Sequence, residues 1–247
     1  MAIDIFPKHW SAIPPISARA VQGHPLCPRF GFLFNGGAAV DIVRGVVGNP
    51  YAGSTKGTWS PGSIRGYAGM SREHTASTDR VELGDGNLLL PNNDVTLVVG
   101  QTRQVFDARD ARCIGGANAT ASGFIVGAYV PFSDGNVYWD WGTTSAGRLG
   151  PIGGLASNAY GDVWAFTTGP RAQEIWQNGL LRATKSPAAD KGTYGAGTEQ
   201  LALGMHAAVQ NSDLVKYHFV YVYWRQLLER EMAEIAAFPF CWVDPRP

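Results

Sequence analysis

The chain has no excess of either charge: twenty Lys and Arg balance twenty Asp and Glu, and the sequence pI is about 7.0. A nucleic-acid binder usually shows a basic stripe, so no nucleic-acid partner is expected. Long apolar runs are also missing. None is long enough to cross a bilayer as a helix, and no membrane partner is expected. The first ten residues, Met1 to Trp10, lack the basic start and apolar block of a secretory signal. Synthesis and assembly in a cytoplasm are the expectation. Cysteine is scarce: Cys27, Cys113 and Cys241 are three and lie far apart. They read as free thiols of the core, and without CxxC spacing they give no zinc motif. His9, His24, His74, His206 and His218 show no His-x-x-x-His spacing. A Gly-x-Ser-x-Gly elbow is absent, and the Gly-rich stretches lack the Lys-Ser/Thr ending of a phosphate loop.

Turn formers are plentiful instead. Thirty-one Gly and fifteen Pro stand beside 45% hydrophobic and only 16% charged residues. That mixture suits one large β-rich domain with short strands and a proper core. Residues 1–28 differ from the rest. Pro7, Pro14, Pro15, Pro25 and Pro28 interrupt any helix or central strand. The segment reads as an extended arm with apolar anchors Phe6, Trp10, Ile13 and Ile16. Such an arm either packs along its own domain or docks on a neighbouring subunit. The domain proper is expected over 29–247.

Strand signals then recur. They fall at 30–34, 38–43, 80–83, 87–90, 95–99, 123–130, 136–141, 162–167 and 200–204, with a Gly/Ser/Thr-rich loop from the second to about Pro61. The nearly continuous apolar run Val95 to Val99 marks a central strand. Gln173 to Gln177, Asn178-Gly179 and Leu180 to Thr184 spell a hairpin, because Asn-Gly accepts the two positive φ values of a type I′ turn. Lys216 to Trp224 reads as a strand covered on both faces. Arg225 to Ala237 reads as one helix with Leu228, Met232 and Ile235 on its apolar stripe, stopped by Pro239. The expected fold is all-β: a two-sheet antiparallel jelly-roll sandwich with one short C-terminal helix.

In this order the pieces resemble the laminin-G-like, concanavalin A-like jelly-roll domains of tailed bacteriophages, over about residues 24–247. Phe34-Asn35-Gly36-Gly37-Ala38, Gly57-Thr58-Trp59 and Tyr67 to Met70 resemble the opening of that family. Trp164 to Phe166, Ile175 to Leu180 and Leu203-Gly204 resemble its middle. Tyr221 to Leu227 with Glu231, then Pro239 to Trp242, resemble its closing strand–Arg–Leu–helix–Pro series. Gly36 stands where the family often has Glu. The series is specific for the fold and weak for function. Related domains can hold calcium at sheet edges, and Asp85, Asn87, Asn92, Asn93 and Asp94 offer oxygen ligands. Asx and Gly also cluster in ordinary turns for backbone reasons, and no metal or cofactor is expected.

Glycoside hydrolases share this sandwich and need two carboxylates flanking the scissile bond. No Glu-x-Asp-x-x-Glu strand is present, so no enzyme and no catalytic residue is expected. For sugar binding, Tyr138, Trp139, Asp140 and Trp141 are the candidates, mixing aromatic faces with a carboxylate. Alternation puts Trp139 and Trp141 on one face and Tyr138 on the other. The resemblance implies a structural protein of a tailed-phage virion, decorating the capsid or built into a tail or fibre. Its partners would be other virion proteins and further copies of itself, and assembly would take place in the host cytoplasm. The alternative is a lectin-like module that adheres to bacterial surface glycan.

Overall fold

The computed structural model of the chain describes residues 12–15, 18–34, 40–43, 58–74, 81–103, 112–116, 125–142, 147–155, 160–186, 200–204 and 215–244. In chain order the first strands are β1 (Phe30–Leu33), β2 (Val40–Asp41), β3 (Thr58–Ile64), β4 (Tyr67–His74) and β5 (Val81–Asp85). A single turn of helix, α1 (Gly86–Leu89), precedes β6 (Val95–Arg103), β7 (Arg112–Gly116), β8 (Ile125–Tyr129), β9 (Val137–Gly142) and β10 (Arg148–Ile152). Then come β11 (Asp162–Thr168), β12 (Gln173–Gln177), β13 (Leu180–Lys185), β14 (Gln200–Leu203), β15 (Val215–Tyr223) and α2 (Glu229–Ala237). No helix among the described residues is long and apolar enough to cross a membrane.

Among the described residues the strands form two antiparallel sheets. The larger has nine strands, ordered β13-β12-β11-β6-β15-β1-β2, with β4 pairing the start of β15 ahead of β1 and β3 pairing β4. The smaller has six, ordered β10-β9-β8-β7-β14-β5. Val95 to Val99 does lie in a central strand, between β11 and β15. The main core fills the space between the sheets. Leu97, Val99, Trp164 and Phe166 of the large sheet meet Trp139 and Leu201 of the small one there. The Trp139 indole N–H donates across the gap to the Thr167 carbonyl at 3.1 Å.

The outer face of the large sheet is covered too. Phe219, Tyr221 and Tyr223 of β15 lie there under Met232 and Ile235 of α2, with Trp242 from the C-terminal segment. Tyr221 donates its hydroxyl to the Pro239 carbonyl at 2.9 Å, and Tyr223 to the Leu26 carbonyl at 2.8 Å. The two ends of the chain pair over this face: Ala20 bridges Val243, and the Val21 N–H donates to the Trp242 carbonyl at 2.8 Å. Both faces of β15 are buried, as its apolar sequence implies. Its alternation breaks at a bulge between Tyr217 and Phe219. Tyr217 therefore points into the inter-sheet core while Phe219 points outward.

The Asn-Gly hairpin forms as expected, with φ of 53° at Asn178 and 80° at Gly179, and its register shifts between Ile175 and Trp176. Asn178 also has a tertiary role. Its side chain accepts from the Val163 N–H at 2.9 Å and donates to Asp162 at 2.7 Å, tying the turn to β11.

Several sequence expectations need correction. Asn87 to Leu90 is no strand. The Asp85 carboxylate accepts from the Asn87 N–H at 2.8 Å and caps a helical turn, α1. The C-terminal helix starts at Glu229, not Arg225. Glu231 accepts from the Leu228 N–H at 2.8 Å, half of a capping box, while Arg225 forks onto the same carboxylate at 2.8 and 2.9 Å. Burial raises the Glu231 pKa, but those bonds outweigh it and hold the carboxyl below its usual range. Leu228 thus sits at the cap and is exposed, while Leu227 is buried. Strands β3, β4, β7 and β10 had no strand signal of their own, and β3 begins inside the expected loop.

Ile13, a candidate anchor for a partner, is only 2% exposed and packs in its own domain. Its N–H donates to the Ala68 carbonyl at 2.9 Å, and its side chain lies over Gly69. Phe6, Trp10 and Ile16 lie outside the described residues.

Candidate functional site

The outer face of the small sheet carries a compact aromatic platform around one arginine. It sits at the edge formed by β8, β9 and β10. Tyr129 and Tyr138 are directly opposed across β8 and β9, and Arg148 opposes Asp140 across β10 and β9. The Arg148 guanidinium donates from Nε and Nη2 to the two Asp140 oxygens at 2.7 and 2.6 Å. This is the planar two-point pairing that carboxylate and guanidinium geometry favours. Asp140 is 0% exposed, whereas the Arg148 side chain keeps 29% of its surface in solvent. The Asp140 bond raises the Arg148 pKa further, so the cation is permanent.

Three rings surround that cation. Its central carbon lies 4.9 Å from the Tyr138 ring centre, 5.2 Å from Phe132 and 5.6 Å from Tyr129. The rings meet edge to face, Tyr129 with Phe132 at 4.8 Å and Phe132 with Tyr138 at 5.7 Å. Glycines let the rings lie against the sheet. A Cβ on Gly127 would stand 3.2 Å from the Tyr129 ring, and one on Gly150 would stand 2.7 Å from Tyr138. Tyr138 and Phe132 are half-buried, so part of each ring faces water. The Tyr138 hydroxyl donates to the exposed Asp134 carboxylate at 2.6 Å. That bond holds the Asp134 carboxyl below its usual range and pushes the phenol up. From the opposite sheet, the Lys185 ammonium donates to the Arg148 carbonyl at 2.8 Å, and burial lowers its pKa.

The sequence candidates divide between two environments. Tyr138 and Asp140 belong to the platform. Trp139 and Trp141 do not: both are 0% exposed and lie between the sheets, so neither can offer a face to a ligand. The physical reason is the alternation itself, which sends odd-numbered residues of β9 into the core. Arg148, Tyr129 and Phe132 escaped the sequence reading. The carboxylate two strand positions from an aromatic was visible, but its cation arrives from a separate strand.

Two of the turn residues weighed as calcium ligands bond the backbone with their side chains. Asp85 caps α1, and Asn92 accepts from the Asp94 N–H at 3.1 Å. Asn93 accepts from the Trp141 indole at 3.3 Å. A different set of metal-ligating groups converges on the far side of the molecule. His24, Glu234 and Cys241 bring their ligand atoms all within 4.8 Å of one another. Burial lowers the His24 pKa, opposed by the Glu234 charge. Burial pushes the Cys241 thiol up to about 12, and the Glu234 charge adds to it.

No protein-family model and no curated protein sequence matches the chain. Solved structures do. Domain 4 of AbnA, a GH43 extracellular arabinanase from Geobacillus stearothermophilus solved with arabinotriose, aligns with a TM-score of 0.63 at 14% identity. The alignment covers 89% of this chain and 99% of that domain. The likeness bears out the expected fold, a two-sheet antiparallel jelly-roll sandwich with one short C-terminal helix. The CBM40 domain of the Ruminococcus gnavus IT-sialidase, also solved with α2,3- and α2,6-sialyllactose, aligns at 0.52 and 16% identity. It covers 67% of this chain and 96% of its own length. The binding domain of Paraclostridial Mosquitocidal Protein 1 aligns at 0.56 and 14% identity, over 86% of this chain and 54% of that one. At these identities the likeness speaks for the fold alone.

Proposed function

We propose that this chain is a non-enzymatic, lectin-like adhesion module that binds bacterial surface polysaccharide on the platform of Phe132, Tyr138 and Arg148, backed by the buried Tyr129. One observation carries the reading: a partly exposed guanidinium is held rigid by a buried carboxylate and enclosed by three rings. Aromatic faces stack on the C–H faces of sugars. A guanidinium has five N–H donors, and Asp140 takes two, which leaves donors for sugar hydroxyls. Because Asp140 fixes the side chain beforehand, little rotamer freedom is lost on binding.

The same pairing supports a binding role over catalysis. Asp140 holds Arg148 through both oxygens and Asp134 accepts from Tyr138 and the Asn136 N–H, so among the described residues the platform offers no pair of free carboxylates. The sugar-bound neighbours add a consistent context, since arabinotriose and sialyllactose are bound by domains of this fold.

The test is calorimetric titration of the purified chain with bacterial surface polysaccharides, alongside Tyr138→Ala and Phe132→Ala variants. Saturable binding should weaken by about twofold to tenfold on loss of a stacking ring, in line with the energy of an aromatic contact. Binding that persists unchanged in both variants would move the site elsewhere. Absence of binding to every polysaccharide, with product release on none, would end the lectin reading.

A place in a tailed-phage virion is compatible with this activity. Its support is the ordered motif series from Phe34 to Trp242. Quantitative mass spectrometry of purified particles decides it. Copies comparable with the major capsid protein mean capsid decoration, a few copies mean a tail or fibre, and absence removes the virion reading.

A further inference from the structure

We propose that His24, Glu234 and Cys241 form a zinc site that clips the N-terminal segment to helix α2 and to the C-terminal segment. The three residues come from a turn ahead of β1, from the last turns of α2 and from the chain just beyond it. They share no local spacing. The fold alone brings their ligand atoms within 4.8 Å of one another.

The ligand types select the metal. A thiolate, an imidazole and a carboxylate suit zinc, whereas calcium and magnesium take oxygen ligands. Zinc bonds of about 2.0–2.3 Å need the three atoms to draw somewhat closer around one centre. Glu234 is exposed, so its carboxylate can swing inward, and His24 and Cys241 are half-buried beside solvent. The fourth tetrahedral position falls to water. Bond formation releases the Cys241 thiol proton to solvent. The Leu26 N–H donates to His24 Nδ1 at 3.1 Å, so in the neutral ring the proton sits on Nε2. Coordination through Nε2 moves that proton to Nδ1, so the ring turns away from the Leu26 N–H and both N–H groups take water as their partner.

The two chain ends are already held in register here. Ala20 bridges Val243, and the Asp244 N–H donates to the Arg19 carbonyl at 2.8 Å. A metal would therefore lock an arrangement that exists without it. The site lies over the large sheet, away from the aromatic platform, and does not rest on the sugar-binding reading.

The experiment uses the full chain stripped with a chelator and titrated with cobalt(II), then with zinc as competitor. Cobalt bound to a thiolate shows a near-ultraviolet charge-transfer band and visible d–d bands. One equivalent should produce both, and zinc should remove them. The bands should vanish in Cys241→Ser and persist in Cys27→Ser, whose thiol lies in the same turn as His24. Glu234→Gln alters an exposed side chain and leaves the fold intact, and it should weaken affinity at least about tenfold. Zinc should raise the melting temperature of the wild type and Cys27→Ser, but not of Cys241→Ser. The assignment is overturned if the wild type gives no thiolate band, or if the band survives in Cys241→Ser. Unchanged affinity in Glu234→Gln would also overturn it.

Discussion

Replacing Arg148 by Met should cost far more stability than a surface ion pair would. The substitution keeps an apolar stem among the three rings but removes both donors from Asp140. That carboxylate is 0% exposed, so water cannot replace them without opening the sheet edge. Stripping one partner from a buried pair costs about 3–5 kcal/mol. The Arg148 side chain is 29% exposed, which screens the pair and places the loss near the low end, about 3 kcal/mol. For a chain of this size that is a drop of about 6–12 °C in Tm. Urea unfolding of Arg148→Met, Asp140→Leu and the double variant forms a thermodynamic cycle. The double variant should recover most of the loss, because no charge is then left buried. A single-variant loss below about 1 kcal/mol, the range of exposed pairs, would refute the reasoning. The Arg148–Asp140 fork would then be an ordinary surface contact, and the rigid platform would lose its basis.

Other consequences follow from buried groups and close backbone contacts. His218 is wholly buried and its pKa falls to about 3, chiefly through burial. The unfolded chain protonates this residue below about pH 6.5 while the fold keeps it neutral, so stability should decline as pH drops from 6.5 towards 3. The full loss is on the order of 3–5 kcal/mol, and a His218→Gln variant should show a flatter acid limb in Tm against pH. Burial raises the phenols of Tyr221 and Tyr223 well above their usual value. Their stabilising contribution is complete below pH 10 and shrinks above it, so absorbance titration should show these two ionising only with alkaline unfolding. Gly179→Ala places a Cβ 2.8 Å from the Ala233 backbone at a φ of 80°, and should lower stability by about 1–3 kcal/mol in urea unfolding. Ile13→Ala should cost about 2–5 kcal/mol in the same assay. An unchanged midpoint would mean that the N-terminal segment is a free arm after all.

Much of the architecture is legible in the sequence. Val95 to Val99 announced a central strand because both its faces are apolar, and it lies between β11 and β15. Asn178-Gly179 announced its turn because few other pairs accept two positive φ values. Where a polar side chain redirected the backbone, the reading failed. Asp85 turned an expected strand into α1, and Glu231 moved the start of α2 by taking both the Leu228 N–H and Arg225. Those are choices between local and tertiary hydrogen bonds, which apolar periodicity does not register.

The sequence by itself determined the sandwich, its hairpin, its closing strand and helix, and the two-sidedness of β9. Period-2 alternation and turn chemistry act over a few residues, so they can be read along the chain. Only the tertiary structure decided which side of β9 meets solvent, and so made Tyr138 a platform residue and Trp139 a core residue. It alone set Arg148 against Asp140 from a neighbouring strand. It alone carried His24 to Glu234 and Cys241 from near the opposite end of the chain. Those meetings depend on strand order and on how the chain ends cross a sheet, and no spacing within the sequence encodes that distance.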